Sequence, residues 1–241
     1  MRDTVIAYCG QAAIPEDLWV RWNVDPFLIA ALVAFAVVVS RGRTANACAA
    51  SGAMALMALI FVSPLCALSA ALFSARVLHH ILLIAGMAPL LALAFPLRRM
   101  GSLPLGALVG TNATILWLWH VPGLYAWGLA SVPAYWLMQA SLLGSAWLLW
   151  RAILAPAAQR GPALVALAVT IAQMGLLGAL IVFAPQPLYF VHLTSTAAWG
   201  MSPLVDQQLA GLLMWVPAIL PYLGVGLWLA WSGLRPGEAA A

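Results

Sequence analysis

Long apolar stretches alternate with short polar breaks along almost the whole 241-residue chain. A membrane span needs roughly 20 apolar residues at about 1.5 Å rise each. Seven stretches qualify: Pro26–Ser40, Ala45–Val62, Arg76–Pro96, Leu105–Val121, Pro133–Trp150, Pro162–Ala184 and Gln208–Trp231. The first is short, but Arg41 and Arg43 at its end can snorkel and extend it. It also has a good start, because Asp25 is a natural N-cap and proline is favoured at the first helical position. The pattern predicts an all-α integral membrane protein, a bundle of seven transmembrane helices. The apolar run Leu65–Leu97 is too long for one upright span. It is expected to break near Ser74, leaving 65–74 as an interfacial segment and Arg76 at the outer boundary, since an arginine at the membrane midplane is costly.

Composition agrees. With 65% hydrophobic and 7% charged residues, the chain cannot coat a water-soluble domain, so apolar surface must face lipid. The basic residues are all arginine, and seven of the ten fall after the first, third, fifth and seventh segments: Arg41, Arg43, Arg98, Arg99, Arg151, Arg160 and Arg235. The alternate loops 63–75, 122–132 and 185–207 carry none. The positive-inside rule therefore puts the N-terminus outside and the C-terminus in the cytoplasm. Residues 1–25 form an external arm holding Arg2, Asp3, Glu16, Asp17, Arg21 and Asp25. Residues 26–235 form the membrane domain, and 236–241 a cytoplasmic tail. Met1–Gly10 is too short and too polar for a cleavable signal peptide. Scattered arginines make no nucleic-acid patch, and the absence of lysine excludes a retinal Schiff base. Cys9, Cys48 and Cys66 show no CxxC spacing, and the last two read as small buried hydrophobes.

With this orientation, every histidine lies on the outer side. His79 and His80 sit about one turn inside the third segment, His120 closes the fourth, and His192 lies in the loop before the seventh. Asp206 and Gln207 are external too, just ahead of the last segment. Polar groups at a membrane boundary usually face protein and carry function, and neutral imidazoles suit copper, zinc or haem iron. Adjacent His79 and His80 point about 100° apart on a helix, so His80 with His120 is the expected two-helix metal pair. The alternatives are an imidazole bonded to a carbonyl or headgroup, Arg76 as a headgroup anchor, and Trp117, Trp119 and Trp127 as an interfacial belt. Nothing resembles HExxH, GxSxG or a phosphate loop, so no enzyme is expected.

Several runs resemble one family. They are Trp22-Asn23-Val24-Asp25-Pro26, then Ser74-Ala75-Arg76-Val77-Leu78-His79-His80 with Ala88-Pro89-Leu90-Leu91, then Trp117-Leu118-Trp119-His120-Val121-Pro122-Gly123-Leu124-Tyr125. The most specific is Asp206-Gln207-Gln208-Leu209-Ala210-Gly211-Leu212-Leu213-Met214-Trp215-Val216-Pro217. Together they resemble the CtaG family, assembly factors of caa-type cytochrome c oxidase. The resemblance implies a multi-pass protein of the bacterial plasma (inner) membrane, supporting respiratory-chain biogenesis and handling copper at its outer face. Its partners would be the lipid bilayer and a cytochrome c oxidase subunit or other assembly factors. His80, His120, Asp206 and Gln207 carry over, with Arg76, His79 and His192 as further outer-face groups. Two positions depart from the family: Arg76 stands where a histidine is common, and Tyr135-Trp136-Leu137-Met138-Gln139 replaces an H-x-x-E-H-like stretch. Other readings are a b-type haem protein using His80 and His120 as axial ligands, and a small-solute transporter. The latter has few ionisable groups and no inverted repeat to support it.

Overall fold

The computed structural model describes residues 5–6, 8–96, 103–155 and 158–234. Arg2, Asp3, Arg98, Arg99, Arg235, Glu238 and the tail 236–241 lie outside the described residues. The arm begins with a two-stranded antiparallel ribbon, β1 Val5–Ile6 and β2 Gly10–Gln11, and ends in a single 3-10 turn, Leu18–Val20.

Most helices start where local chemistry supplies a cap or a proline. Asp25 accepts from Leu28 N at 2.8 Å ahead of α1, Pro26–Ser40. Asn46 accepts from Ala49 N at 2.9 Å ahead of α2, Ala47–Val62. Pro64 then bends the chain by 47° into the short α3, Leu65–Ala71. A single extended residue, Leu72, separates it from α4, Phe73–Ala94. Next come α5, Leu105–His120, and a small α6, Pro122–Ala130, with proline at its first turn. Ser131 caps α7, Val132–Ile153, accepting from Ala134 N at 3.3 Å. α8 is Arg160–Val182, and α9, Pro203–Leu234, is capped by Ser202 and kinked at Pro217.

α4 is the hub, packed against α2, α3, α7 and α9, while α5 packs on α7 and α8 and α1 on α2. A π-helical stretch, Leu82–Met87, interrupts α4. Such turns free a carbonyl from the regular ladder, and Trp150 Nε1 donates to Ile84 O at 3.0 Å. Trp150 also stacks on Tyr222, centroids 4.7 Å apart, which ties α4, α7 and α9 into one core. The tightest approach is between α8 and α9 at Gly178 and Gly211. A Cβ on Gly211 would lie 2.6 Å from Gly178 O.

Three helices among the described residues are long and apolar enough to cross a membrane: α4, α8 and α9. The bent pair α2–α3 makes a fourth if it counts as one broken span, and α1, at 15 residues, is shorter. All seven predicted segments contain helix, and the differences lie at the histidine-bearing end, where the expected loop 122–132 holds α6. Residues 65–71 form the short helix α3, buried within protein at Cys66, Ala67, Ser69, Ala70 and Ala71. α4 begins at Phe73, so Arg76 lies inside it rather than at its boundary. α9 begins at Pro203, which draws Asp206 and Gln207 out of the loop and into its first turns.

Candidate functional site

The two ends of the bundle differ in kind. Arg41, Arg43, Arg151 and Arg160 mark one end, where Ala45 N donates to Ala94 O at 2.9 Å. The other gathers the arm, α3, α6, the starts of α4, α7 and α9, and the loop between α8 and α9. There, buried polar residues are concentrated.

Its keystone is Asp206, 1% exposed. The carboxylate accepts from Phe73 N at 2.7 Å, Ser74 N at 3.1 Å and the Ser74 hydroxyl. A helix N-terminus has orphan amides and a partial positive charge. α4 has no capping side chain of its own, and Asp206 caps it from another helix. This explains why α4 starts a turn earlier than its local sequence suggests. The neighbouring Gln207 clamps the α8–α9 loop. Its Oε1 accepts from Leu188 N at 2.6 Å, and its Nε2 donates to Ile181 O at 3.2 Å and Gln186 O at 3.4 Å.

The next turn of α4 carries Arg76, His79 and His80, all buried. Arg76 is no headgroup anchor: it is 0% exposed, walled in by protein. Its guanidinium carbon lies 5.4 Å from the Tyr135 ring centre, and Nη2 points at Cys9 Sγ, 3.9 Å away. Nε and Nη1 have no partner, and among the described residues the one salt bridge is elsewhere, Arg21 to Asp17. His79 packs edge-on to Phe61 of α2 at 5.2 Å, with neither ring nitrogen bonded. His80 turns the other way, and Gln139 Nε2 of α7 donates to its Nε2 at 3.3 Å. Sequence spacing allows only one of the two histidines to face a site, yet both are enclosed, because α4 has neighbours on both flanks.

His120 ends α5 with Nδ1 2.7 Å from Leu116 O, which makes that nitrogen the donor and leaves Nε2 as the lone pair. The Tyr189 hydroxyl donates to His120 O at 3.0 Å, pinning the loop to α5. His192 is in that loop but 2% exposed. Its Nε2 accepts from the Tyr125 hydroxyl at 2.7 Å, and its other side faces the carbonyls of Ala70 and Ala71. Burial, and then the charge of Arg76, push its pKa down to about 3. The folded state therefore holds His192 neutral, whereas an unfolded chain protonates it below about 6.5. The stability this provides is complete above about pH 6.5 and falls by about 1.4 kcal/mol per pH unit as pH drops toward 3. Thermal unfolding in detergent should show this slope between pH 6 and 4. His192→Gln should lower the slope by about 1.4 kcal/mol per pH unit, and an equal slope in the variant would remove His192 as a source.

Other expectations change at this end. Cys66 is not merely a small buried hydrophobe, since it forms a disulfide with Cys9, while Cys48, at the arginine end, is exposed. Trp117 and Trp119 are not free interfacial rings: their Nε1 atoms donate to Gln173 at 2.9 Å and Ser141 at 2.8 Å. Trp127, half exposed, remains suited to a belt. Cys9, Tyr125, Tyr135 and Gln139 were not among the expected site residues. One signal was available: Tyr135 and Gln139 share the i, i+4 spacing of Arg76 and His80, so each pair lies on one helix face.

A family model described as cytochrome c oxidase caa3 assembly factor matches residues 32–235. The chain belongs to that family. No curated protein and no solved structure matches it. The two places where this chain departs from the expected pattern meet in space, Arg76 over Tyr135 and Gln139 on His80. The donors present do not fit a resident copper. No group of three His, Cys, Asp or Glu among the described residues could hold a metal. Cys9 and Cys66 are bonded to each other, the His80 Nε2 lone pair is taken by Gln139, and the buried guanidinium opposes a cation. His80 and His120 remain as two imidazoles from adjacent elements. The same Gln139 contact occupies the nitrogen through which His80 would ligate a haem.

Proposed function

We propose that the chain supports assembly of caa3-type cytochrome c oxidase from the outer face of the bacterial plasma membrane. It crosses the membrane seven times, with its N-terminus outside and C-terminus cytoplasmic. Its histidine-bearing end meets an oxidase subunit or another assembly factor by protein contact, without storing copper. The family supports the assembly role. Arginines at one end and a disulfide at the other support the orientation, because disulfides persist on the oxidising side of a membrane. The contact reading is carried by the enclosure of the polar cluster, in which His80, His120 and His192 are committed to Gln139, Leu116 O and Tyr125.

Deleting the protein in its host should lower assembled oxidase, measured as haem a absorbance and oxidase activity in membranes. Unchanged oxidase would sink the assembly role. Copper in the purified protein should be at background, and equally so in His80→Ala and His120→Ala. Stoichiometric copper that is lost in either variant would replace contact with metal handling at His80 and His120.

A further inference from the structure

Arg76 is a full positive charge shut inside protein, with the Cys9 sulfur and the hydroxyls of Tyr125 and Tyr135 beside it. Taking an ion out of water costs several kcal/mol unless a counter-charge repays it. No carboxylate among the described residues lies within ion-pair distance of this guanidinium. Asp206, the other buried charge, is committed to the start of α4. Cys9 Sγ, however, sits 3.9 Å from Nη2, and the Tyr135 hydroxyl lies 3.7 Å from the same sulfur. Opening the disulfide would turn that sulfur into a thiolate, the missing counter-charge, with a hydroxyl donor beside it. Surroundings that favour the thiolate favour the reduced form and make a disulfide exchange-active.

We infer that Cys9–Cys66 is a thiol–disulfide exchange site for a protein dithiol on the same side of the membrane, with Arg76 holding the Cys9 thiolate. The two sulfurs are unequal in the way exchange requires. Cys66 is 1% exposed, whereas Cys9, in the arm, is only half-buried, so attack falls on Cys9. A thiolate of the incoming dithiol forms a bond to Cys9 Sγ and breaks the Cys9–Cys66 bond, and Cys66 leaves and takes up a proton. The partner's second thiolate attacks its own first sulfur, breaks the mixed disulfide and releases Cys9 as a thiolate against Arg76. The partner loses two electrons and two protons and becomes a disulfide. The Cys9–Cys66 pair gains both electrons, and the proton that Cys66 does not keep goes to water. The inference rests on the outer-face orientation proposed above for its compartment, and on the contacts of Arg76 for its chemistry.

The test uses the full chain in detergent with the exposed Cys48 replaced, Cys48→Ala. The chain is equilibrated in glutathione redox buffers and its free thiols are trapped with a maleimide. The disulfide should reduce within the range the buffers span. In Arg76→Gln, the glutathione ratio [GSH]²/[GSSG] at half-reduction should rise at least about tenfold, equivalent to about 30 mV for a two-electron couple. An equal midpoint in both chains overturns the role of Arg76, and a disulfide that resists all buffers overturns exchange. Because Arg76→Gln can disturb folding, Cys66→Ser in the same background gives a second readout with Arg76 intact. The iodoacetamide reaction of Cys9 should reach half its maximal rate at least about one pH unit below the ordinary thiol value of about 8.5. A midpoint at or above that value overturns the inference. Both readouts use the isolated chain, so their failure leaves oxidase assembly standing, and normal oxidase after deletion leaves the thiol chemistry standing.

Discussion

Asp206→Ala is expected to lower the stability of the folded protein by about 3–5 kcal/mol, the range found when a buried charge network loses one partner. Three donors converge on this carboxylate: Phe73 N, Ser74 N and the Ser74 hydroxyl. Hydrogen bonds to charged groups contribute about 1.5–3 kcal/mol each, and a buried donor left unpaired costs about 1–3 kcal/mol. Alanine strands all three where no water reaches, since Ser74 is 4% exposed and Phe73 2%. An asparagine side chain would keep one acceptor oxygen but turn an N–H toward a remaining donor, so Asp206→Asn should fall between alanine and wild type. In detergent the alanine variant should melt roughly 10 °C lower, taking about 2–4 °C per kcal/mol for a chain of this size. The loss should begin at the start of α4, with faster hydrogen exchange at Phe73 and Ser74 than in the arginine-end half of the helix. If Asp206→Ala melts with wild type, the cross-helix cap is not what sets the start of α4.

Gly211→Leu should be the second large effect, for steric reasons alone. A Cβ there would meet Gly178 O and Val182 Cγ2 at 2.6 Å and Val182 N at 2.9 Å. Two of these are backbone atoms of α8, which cannot rotate away as a side chain could, so the helices must part. Overpacking costs about 1–3 kcal/mol and sometimes more. Gly211→Ala should thus lose about 2 kcal/mol, and leucine more. Small residues are what let membrane helices pack backbone to backbone, and Gly178 answers Gly211 from the facing helix. Gly224 supplies the control, being on the same helix with nothing within 4 Å of an added Cβ. Gly224→Ala should be neutral, or stabilising by up to about 1 kcal/mol through helix propensity. Equal melting of Gly211→Ala and Gly224→Ala would show that the close approach carries no weight.

Both effects lie within the one motif, Asp206 to Pro217, that the sequence singled out as most specific. Residue order alone offers no reason for that specificity. Asp206 holds α4, Gln207 holds the loop after α8, and Gly211 admits α8, so six consecutive residues of one helix make three different attachments. Similarly, Arg76 and Tyr135-to-Gln139 stand out along the chain as two separate departures. They are one packed contact, with the Cys9–Cys66 disulfide drawn in beside it.

The chain by itself determined the seven long apolar segments that hold helix, which end carries the arginines and which the histidines, and the family. Hydropathy and charge are read along one dimension, and the lipid solvent enforces them residue by residue. Only the tertiary structure decided that Arg76 is enclosed by protein, that both His79 and His80 face protein, and that Cys9 reaches Cys66. Those facts depend on what lies beside α4, and its neighbours come from residues as far along the chain as Asp206. An arginine before an apolar run looks the same whether lipid headgroups or an arm, a short helix and a folded loop cover it. Burial is a property of those neighbours, and here it turned a predicted membrane anchor into a buried charge.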